Sequence, residues 1–369
     1  MLIGAPKELK NNEYRVGLTP DVAAELRSHG HQVFIESGAG LGSGFSDDSY
    51  LRAGAQLVAT AAEIFARAEM IVKVKEPLED EIKQLRPDQL LFTYLHLAAN
   101  ADLTRGLIAS GAYCIAYETV QNSAGGLPLL APMSEIAGRL APQMGARFLE
   151  KENGGRGILL SGAPGAPPAQ VLVLGAGNVG LQSTAIALGM GARVLVADHN
   201  VDALRRTEAR FGFRAQTLFA TRQSISEALI TTDLVICAAL TAGARAPILI
   251  NRSMLQRMSA GSVIVDVAID QGGCCETSRP TSHAQPVFTV DGVIHYCVTN
   301  MPGVVPRTST IALNNATLPY IIALANKGWR KALKEDPSLA CGLEIAGGKL
   351  LSAPVASAHG LTLEHLTLS

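Results

Sequence analysis

One stretch, residues 170 to 198, limits the possible fold more than any other part of the sequence. It reads QVLVLGAGNVGLQSTAIALGMGARVLVAD: an apolar strand, a turn with Gly175, Gly177 and Gly180, a helix rich in Ala and Leu, and a second strand that ends at Asp198. Glycines at this spacing occur in many turns, but a strand before them and a helix after them are typical of the βαβ unit that binds dinucleotides. The stretch therefore predicts a nucleotide-binding sheet of parallel strands.

Each glycine of this turn has its own physical role. Gly175 permits the tight turn, Gly177 lets a pyrophosphate approach the backbone, and Gly180 lets the helix pack closely on the strand. The helix N-terminus adds N–H groups and partial positive charge. Asp198 follows Gly175 by 23 residues, close to the roughly 20 expected for the acid that binds the ribose hydroxyls. Its charge would repel a 2′-phosphate, which favours NAD over NADP.

Composition and charge exclude several classes of protein. A length of 369 residues suits two domains, and a net charge of -1 argues against electrostatic binding of nucleic acid or a membrane surface. The start MLIGAPKELKNNEYR lacks the apolar core of a signal peptide, and no segment has about 18 uninterrupted apolar residues, so we expect a cytoplasmic protein. The six cysteines lack metal-ligand spacing, which predicts buried free thiols and no metal site.

The N-terminal part alternates short apolar runs with helical patterns, which is typical of a βαβ sheet. Predicted strands at Met70 to Val74 and Leu90 to Tyr94 run out at Lys75 and His96, where the ligands of open parallel sheets bind. Each candidate also has an ordinary interpretation. His96 taken alone is typical of a hydrogen-bonded core histidine, and Arg15 of a solvated surface charge. The other interpretation is that Arg15 and Lys75 form a cationic pocket for a carboxylate.

Two later segments complete the predicted organisation. A helical repeat from Met133 to Lys151 is predicted to bridge two domains, and an apolar strand from Ser262 to Ala268 is predicted to end just before Asp270. An acid at the end of an apolar strand is costly to bury unless it has a partner or a catalytic role. Asp270 is therefore a catalytic candidate.

Several passages together resemble a single family. PKELKNNEYRVGLTP, VKVKEP, YLHLA, PMSEIAGR, GSVIVDVAIDQGG and HYCVTNMPGVVPRTST closely resemble the motifs of alanine dehydrogenases, and the resemblance covers essentially the whole chain. It implies an α/β fold with two doubly wound parallel-sheet domains. A Rossmann NAD domain, residues 129 to 306, would be inserted into a discontinuous substrate domain, residues 1 to 128 and 307 to 369. The resemblance also implies a homohexamer.

The same resemblance implies the roles of individual residues. Arg15 and Lys75 would bind the carboxylate and carbonyl of the substrate, and His96 and Asp270 would be the acid/base residues. The implied cofactor contacts are Ser134, Gly175, Gly177, Asn178, Val179, Gly180, Asp198, Ala239 or Leu240, Ile269, Asp270, Asn300 and Met301. Two positions depart from the family pattern: Ala203 replaces a basic residue and Ala220 replaces a serine. These departures concern cofactor affinity more than catalysis.

The activity that the resemblance implies is the reversible, NAD-dependent oxidative deamination of L-alanine to pyruvate and ammonia. Two alternatives stay open. One is the soluble NAD(H)-binding component of a proton-translocating transhydrogenase, which shares several motifs but lacks the histidine of YLHLA. The other is a non-catalytic NAD-binding module, which would need none of Arg15, Lys75, His96 and Asp270.

Overall fold

The computed structural model describes residues 1–239 and 245–366. The chain forms two compact units. Unit 1 consists of Met1–Met133 and Val305–Ser369, and unit 2 of Ser134–Val304. Unit 1 is thus discontinuous in sequence. The first boundary falls inside a helix, Ala131–Leu149, which begins and ends two residues before the predicted bridging helix.

The strands and helices are numbered along the chain. The strands are β1 Leu2–Ala5, β2 Gln32–Glu36, β3 Gln56–Val58, β4 Met70–Val72, β5 Leu90–Thr93, β6 Tyr113–Ala116, β7 Gln170–Leu174, β8 Arg193–Asp198, β9 Ala215–Phe219, β10 Leu234–Cys237, β11 Val263–Asp266, β12 Val287–Val290, β13 Val293–Tyr296, β14 Leu343–Ala346 and β15 Lys349–Leu350. The helices are α1 Pro20–Ser28, α2 Asp47–Arg52, α3 Ala61–Arg67, α4 Glu79–Ile82, α5 Ala101–Ser110, α6 Ala131–Leu149, α7 Asn178–Gly189, α8 Val201–Phe211, α9 Arg222–Leu229, α10 Arg252–Leu255, α11 Pro306–Lys327, α12 Trp329–Glu335, α13 Pro337–Ala340 and α14 Ala353–His359.

Unit 1 is built on an eight-stranded sheet with the order β15-β14-β6-β5-β4-β1-β2-β3. Strands β1 to β6 pair in parallel. The chain winds outward from β1 through β2 and β3, returns to β4, and continues through β5 and β6. The topological switch point of unit 1 therefore lies between β1 and β4, and such a point is where open α/β sheets bind ligands.

The central strands of unit 1 are marked in the sequence by unbroken apolar runs. β4, β5 and β6 are buried along their whole length, as parallel strands covered on both faces should be. The first helix begins at Pro20, where Thr19 accepts a hydrogen bond from the N–H of Val22 and the proline occupies the first turn. β4 ends two residues before the predicted Val74, whose N–H donates to the carboxylate of Glu8 instead of to a neighbouring strand.

Unit 2 is built on a seven-stranded sheet with the order β12-β13-β11-β10-β7-β8-β9. Its parallel strands wind outward from β7 in both directions, which is the strand order of a Rossmann fold, with the switch point between β7 and β10. The predicted fold class, two doubly wound α/β domains, is confirmed. Both sheets also carry antiparallel edge strands that the sequence did not predict: β12 in unit 2, and β14 and β15 in unit 1.

The cysteines and the helices bear on two further expectations. All six cysteines are free and five are buried, but Cys341 is exposed at the end of α13, so the expectation of buried thiols is wrong at that position. Within the described ranges, every helix is too short or too polar to be a candidate membrane span.

Candidate active site

The glycine turn after β7 has the geometry that its sequence predicts. Gly175 has a positive φ of 105°, and a Cβ there would lie 2.8 Å from the backbone of Ala238 and Ala239. A Cβ at Gly180 would overlap the carbonyl oxygen of Gly175, whereas a Cβ at Gly177 would have no neighbour within 4 Å. Gly177 caps α7 without a side-chain hydrogen bond. The open space and the uncapped helix N-terminus fit an anionic group such as a pyrophosphate.

Asp198, at the end of β8, is tied to this turn. Its Oδ2 accepts the N–H of Ala176 at 2.7 Å, and its Oδ1 accepts the N–H of Asn200 at 2.8 Å. The carboxylate is therefore held beside the glycine turn, where the ribose of a dinucleotide would lie. Arg205, a basic side chain in the following helix, donates to Asp202 at 2.6 Å.

The other predicted cofactor residues that the structure describes also belong to unit 2. Ala239 follows β10 across the switch point from Gly175, and its carbonyl accepts a hydrogen bond from Cys274. Asn300 has a left-handed backbone with φ of 57°. The remaining predicted residues in this unit are Ser134 and Asn178, with the buried Val179, Ile269 and Met301. Leu240 lies outside the described residues.

The predicted strand from Ser262 to Ala268 is too long. β11 ends at Asp266, and Val267–Gln271 form a 3₁₀ turn that carries Asp270. Asp270 is exposed, so the argument from the cost of burying an acid is wrong for that residue. It applies to Asp266, which is fully buried and whose pKa is raised by burial.

Asp266 holds the loop that contains Asp270. Its Oδ2 accepts the N–H of Cys274 at 2.9 Å and the hydroxyl of Ser278 at 2.6 Å, so the strand end and the far side of the loop are joined through one carboxylate. No sequence pattern marks this role, because Asp266 lies inside an apolar run that is typical of one continuous strand.

Arg15 is buried, so its interpretation as a solvated surface charge is wrong. Its Nε and Nη2 donate to the two carboxylate oxygens of Glu13, at 2.7 and 2.5 Å. Burial alone would lower the pKa of Arg15, but the hydrogen bonds and charge of Glu13 raise it, and the same pairing lowers the pKa of Glu13 against burial. Both groups thus stay ionised, and the guanidinium is held in a fixed position.

Lys75 lies just beyond β4 and is half-buried. Its backbone N–H donates to Oε1 of Glu8 at 3.3 Å. The residue is therefore anchored through its main chain to the loop that follows β1, the strand beside β4 in the sheet.

His96 is not a core histidine, since 44% of its side chain is exposed. Its backbone is left-handed, with φ of 50°, which is uncommon for a residue other than glycine. Glu118 supports this conformation: its Oε1 accepts the N–H of Leu95 at 3.1 Å and the N–H of His96 at 2.5 Å, and lies 3.8 Å from Nδ1 of His96. The ring of Tyr94 lies nearly parallel to the imidazole, at 5.9 Å between centroids.

The sheet order of unit 1 brings three of the predicted residues to the same edge. Arg15 lies in the segment after β1, Lys75 after β4 and His96 after β5, and these three strands are neighbours. Asp270 belongs to unit 2. Sequence reasoning missed the supporting carboxylates. Glu13 has a weak signal in its spacing of two residues from Arg15, whereas Glu118, 22 residues after His96, has none.

No three His, Cys, Asp or Glu side chains in residues 1–239 and 245–366 are grouped in a way that could hold a metal ion. Among the described residues, unit 1 thus carries a buried cation, a lysine and an exposed imidazole at one edge of its sheet, and unit 2 carries a nucleotide-type glycine turn.

Two doubly wound sheets, one with a Rossmann strand order and a glycine turn at its switch point, define a two-unit α/β protein of the nucleotide-binding class. Models of the alanine dehydrogenase/PNT N-terminal and C-terminal domains match residues 4–137 and 141–353. The chain belongs to the alanine dehydrogenase/PNT family, which confirms the resemblance seen in its motifs.

Individual relatives are similar over nearly the whole chain. The alanine dehydrogenase of Halomonas elongata is 55% identical over 361 residues, 98% of this chain and 97% of the relative. That of Mycolicibacterium smegmatis is 53% identical over 96% of each chain. A solved L-alanine dehydrogenase has a TM-score of 0.95 at 52% identity and covers 98% of this chain and 99% of its own. A transhydrogenase from Sinorhizobium meliloti has a TM-score of 0.84 at 26% identity, and the match covers 95% of this chain and 100% of the transhydrogenase chain.

Proposed function

We propose that this chain is an NAD-dependent alanine dehydrogenase that catalyses the reversible oxidative deamination of L-alanine to pyruvate and ammonia. The observation that carries the proposal is the full-length similarity, at 50 to 55% identity, to several proteins named alanine dehydrogenase. The imidazole of His96 supports it further, because an exposed, well-supported histidine is suited to proton transfer near neutral pH.

In the proposed mechanism, unit 1 binds the substrate. Arg15, fixed by Glu13, binds the carboxylate of alanine or pyruvate through charge-assisted hydrogen bonds. Lys75 donates to the oxygen that develops on the substrate Cα. Gly175, Gly177, Gly180 and Asp198 of unit 2 would hold NAD, which would supply the acceptor for the hydride of the substrate Cα.

Proton transfers complete the reaction. After the ammonium group of alanine loses a proton, loss of the hydride leaves an iminium ion. Water adds with loss of a proton to give a carbinolamine, and collapse of the carbinolamine, with protonation of its nitrogen and deprotonation of its hydroxyl, releases ammonia and forms the carbonyl of pyruvate. We assign His96 to exchange a proton with the carbinolamine oxygen, since an imidazole is suited to proton transfer at neutral pH. Asp270 is the second proposed acid/base group. The overall reaction in the deamination direction converts L-alanine, NAD⁺ and water to pyruvate, ammonium, NADH and a proton.

NAD is the proposed cofactor, with the unit 2 residues named above as its contacts. The support is the carboxylate of Asp198, which hydrogen bonds hold beside the glycine turn. We expect kcat/KM for NAD to exceed that for NADP by at least about tenfold, because the carboxylate repels a 2′-phosphate. Initial rates with both cofactors measure this ratio, and Asp198→Ala should narrow it. Equal values in the unaltered protein would refute the assignment.

Two glycines of the turn should respond differently to the same substitution. Gly180→Ala places a methyl group against the carbonyl of Gly175, so the free energy of unfolding of unit 2 should fall by about 2 kcal/mol or more. Gly177→Ala meets open space and should leave the thermal midpoint unchanged, but should weaken NAD binding by about tenfold, because the methyl group occupies the place of the pyrophosphate. Calorimetry and NAD titration test both. Unchanged NAD affinity in Gly177→Ala would place the pyrophosphate elsewhere.

Assembly and location are further parts of the proposal. We propose a cytoplasmic homohexamer, as the family resemblance implies, with L-alanine, pyruvate and ammonia as its small-molecule partners. A net charge of -1 gives no support to a nucleic-acid or membrane partner. Light scattering coupled to gel filtration would measure the number of subunits.

The direct test of the activity is an initial-rate assay of the purified protein with L-alanine and NAD. NADH absorbance should rise, pyruvate should form in equal amount, and D-alanine should give no rate. A protein that binds NADH but turns over neither L-alanine nor pyruvate with ammonia would favour the non-catalytic module.

A further inference from the structure

A buried charge cluster lies beside the candidate site in unit 1 and has no role in the mechanism above. Its members are Glu8, Lys73 and Glu81, all of them buried. Nζ of Lys73 lies 2.8 Å from Oε1 of Glu81 and 3.3 Å from Oε2 of Glu8. Burying three charges is costly even when they are paired, and a buried ion pair is therefore weak evidence of a purely stabilising role.

In each of the two carboxylates, the oxygen that does not contact Lys73 accepts hydrogen bonds from the main chain around Lys75. Oε1 of Glu8 accepts the N–H of Val74 at 2.6 Å and that of Lys75 at 3.3 Å. Oε2 of Glu81 accepts the N–H of Leu78 at 2.8 Å. The cluster thus holds the segment 74–78 at both ends, and one ammonium group, that of Lys73, joins the two holding points.

The cluster also lies at the switch point of the unit 1 sheet. Glu8 follows β1 by three residues and Lys73 follows β4 by one, and these are the strands between which the winding reverses. Chain segments at such a point separate and leave a crevice for ligands, so their positions are not fixed by the strand ladder. The side-chain link between the two loops adds a constraint to the hydrogen bond that the hydroxyl of Thr93, at the end of β5, donates to the carbonyl of Lys75 at 3.0 Å.

We infer that Glu8, Lys73 and Glu81 are positioning residues that hold the segment 74–78 so that the ammonium group of Lys75 meets the substrate. This inference rests on the proposed function, in which Lys75 binds the substrate oxygen. Lys73 and Lys75 then have separate tasks: the first is the centre of the scaffold and the second contacts the substrate.

The charges of the cluster agree with a scaffold built around Lys73. Burial raises the pKa of Glu8 although the charge of Lys73 opposes the rise, and the two carboxylates raise the pKa of Lys73 although burial would lower it. Lys73 therefore stays an ammonium ion. Its loss would leave both carboxylates buried without the cation between them, and the segment 74–78 would lose its fixed position.

The test compares Glu8→Ala, Glu8→Gln and Lys73→Met in the full-length protein. In Glu8→Gln the amide oxygen can still accept from Val74, but the amide N–H₂ faces Lys73. We expect kcat/KM for pyruvate to fall at least about tenfold in Glu8→Ala and Lys73→Met and by less in Glu8→Gln, while the Kd of NADH is unchanged. Lys83→Met is the matched control, because Lys83 also contacts two carboxylates, those of Glu79 and Asp80, but on the exposed surface.

Amide hydrogen exchange provides a readout that does not depend on activity. In the unaltered protein the N–H groups of Val74 and Lys75 should exchange slowly, and in Glu8→Ala they should exchange at least about tenfold faster. If the unaltered protein does not reduce pyruvate, the proposed function fails and exchange still decides whether the scaffold exists. A folded Glu8→Ala protein with unchanged exchange, or with a lower thermal midpoint but normal kcat/KM for pyruvate, would overturn the inference. If Lys73→Met does not fold, the two Glu8 variants decide.

Discussion

His96→Ala is expected to lower kcat by about a hundredfold or more while NADH still binds with its normal affinity. The reason is that Lys75 can polarise the substrate oxygen with its positive charge, whereas an imidazole can both accept and return a proton at neutral pH. The pH profile of kcat/KM should also lose one limb. Steady-state rates and NADH titration measure these effects.

A second substitution at His96 tests the imidazole without adding backbone strain. Because the backbone of His96 is left-handed, alanine at this position adds strain, whereas asparagine tolerates the conformation. His96→Asn should therefore lose as much kcat as His96→Ala but keep the thermal midpoint. His29→Ala, which removes a partly exposed histidine at the end of α1, is the control. Normal turnover in folded His96→Asn would show that the imidazole has no part in proton transfer.

Arg15→Ala is expected to affect both stability and substrate binding. It removes the guanidinium that pairs with the buried carboxylate of Glu13, and breaking such a pair costs about 3 to 5 kcal/mol. It also removes the charge-assisted contact with pyruvate, so kcat/KM for pyruvate should fall by about thirtyfold or more, equivalent to ~2 kcal/mol. Denaturant unfolding and initial rates measure the two effects on the same preparation.

Two further variants separate these effects. Arg15→Ala with Glu13→Gln removes the buried charge and should recover stability without recovering pyruvate turnover. Arg105→Ala, at an exposed pair with Asp102 in the same unit, should change stability by less than about 1 kcal/mol. If the double variant regained normal kcat/KM for pyruvate, the carboxylate site would not include Arg15.

The sequence predicted the parts of this fold that short-range patterns determine. Glycine spacing predicts the turn at Gly175, and unbroken apolar runs predict the fully buried strands β4 and β5. The antiparallel edges were missed because they depend on long-range pairing: β14 joins β6 across more than two hundred residues, and β15 has only two residues. The apolar run also predicts a strand that continues past Asp266 to Ala268, whereas β11 ends at Asp266.

The candidate site was predictable at the residues that motifs mark and not at those that support them. Arg15, Lys75 and His96 stand in recognisable passages. Their partners Glu13, Glu8 and Glu118 were not predicted, since a carboxylate is identified as a partner only by the distance and burial that tertiary structure gives. Burial excludes one interpretation of each of two residues: a solvated surface charge for Arg15 and a core histidine for His96.

The most direct test of the proposed function follows the hydrogen on the substrate Cα. The purified protein is given NAD and L-alanine deuterated at Cα, and the NADH formed is analysed by mass spectrometry. The proposed function predicts NADH that carries the deuterium, formed in equal amount with pyruvate and ammonia. Absence of NADH, or NADH without deuterium, would contradict the proposed function, because the hydride of Cα would then not be the one transferred.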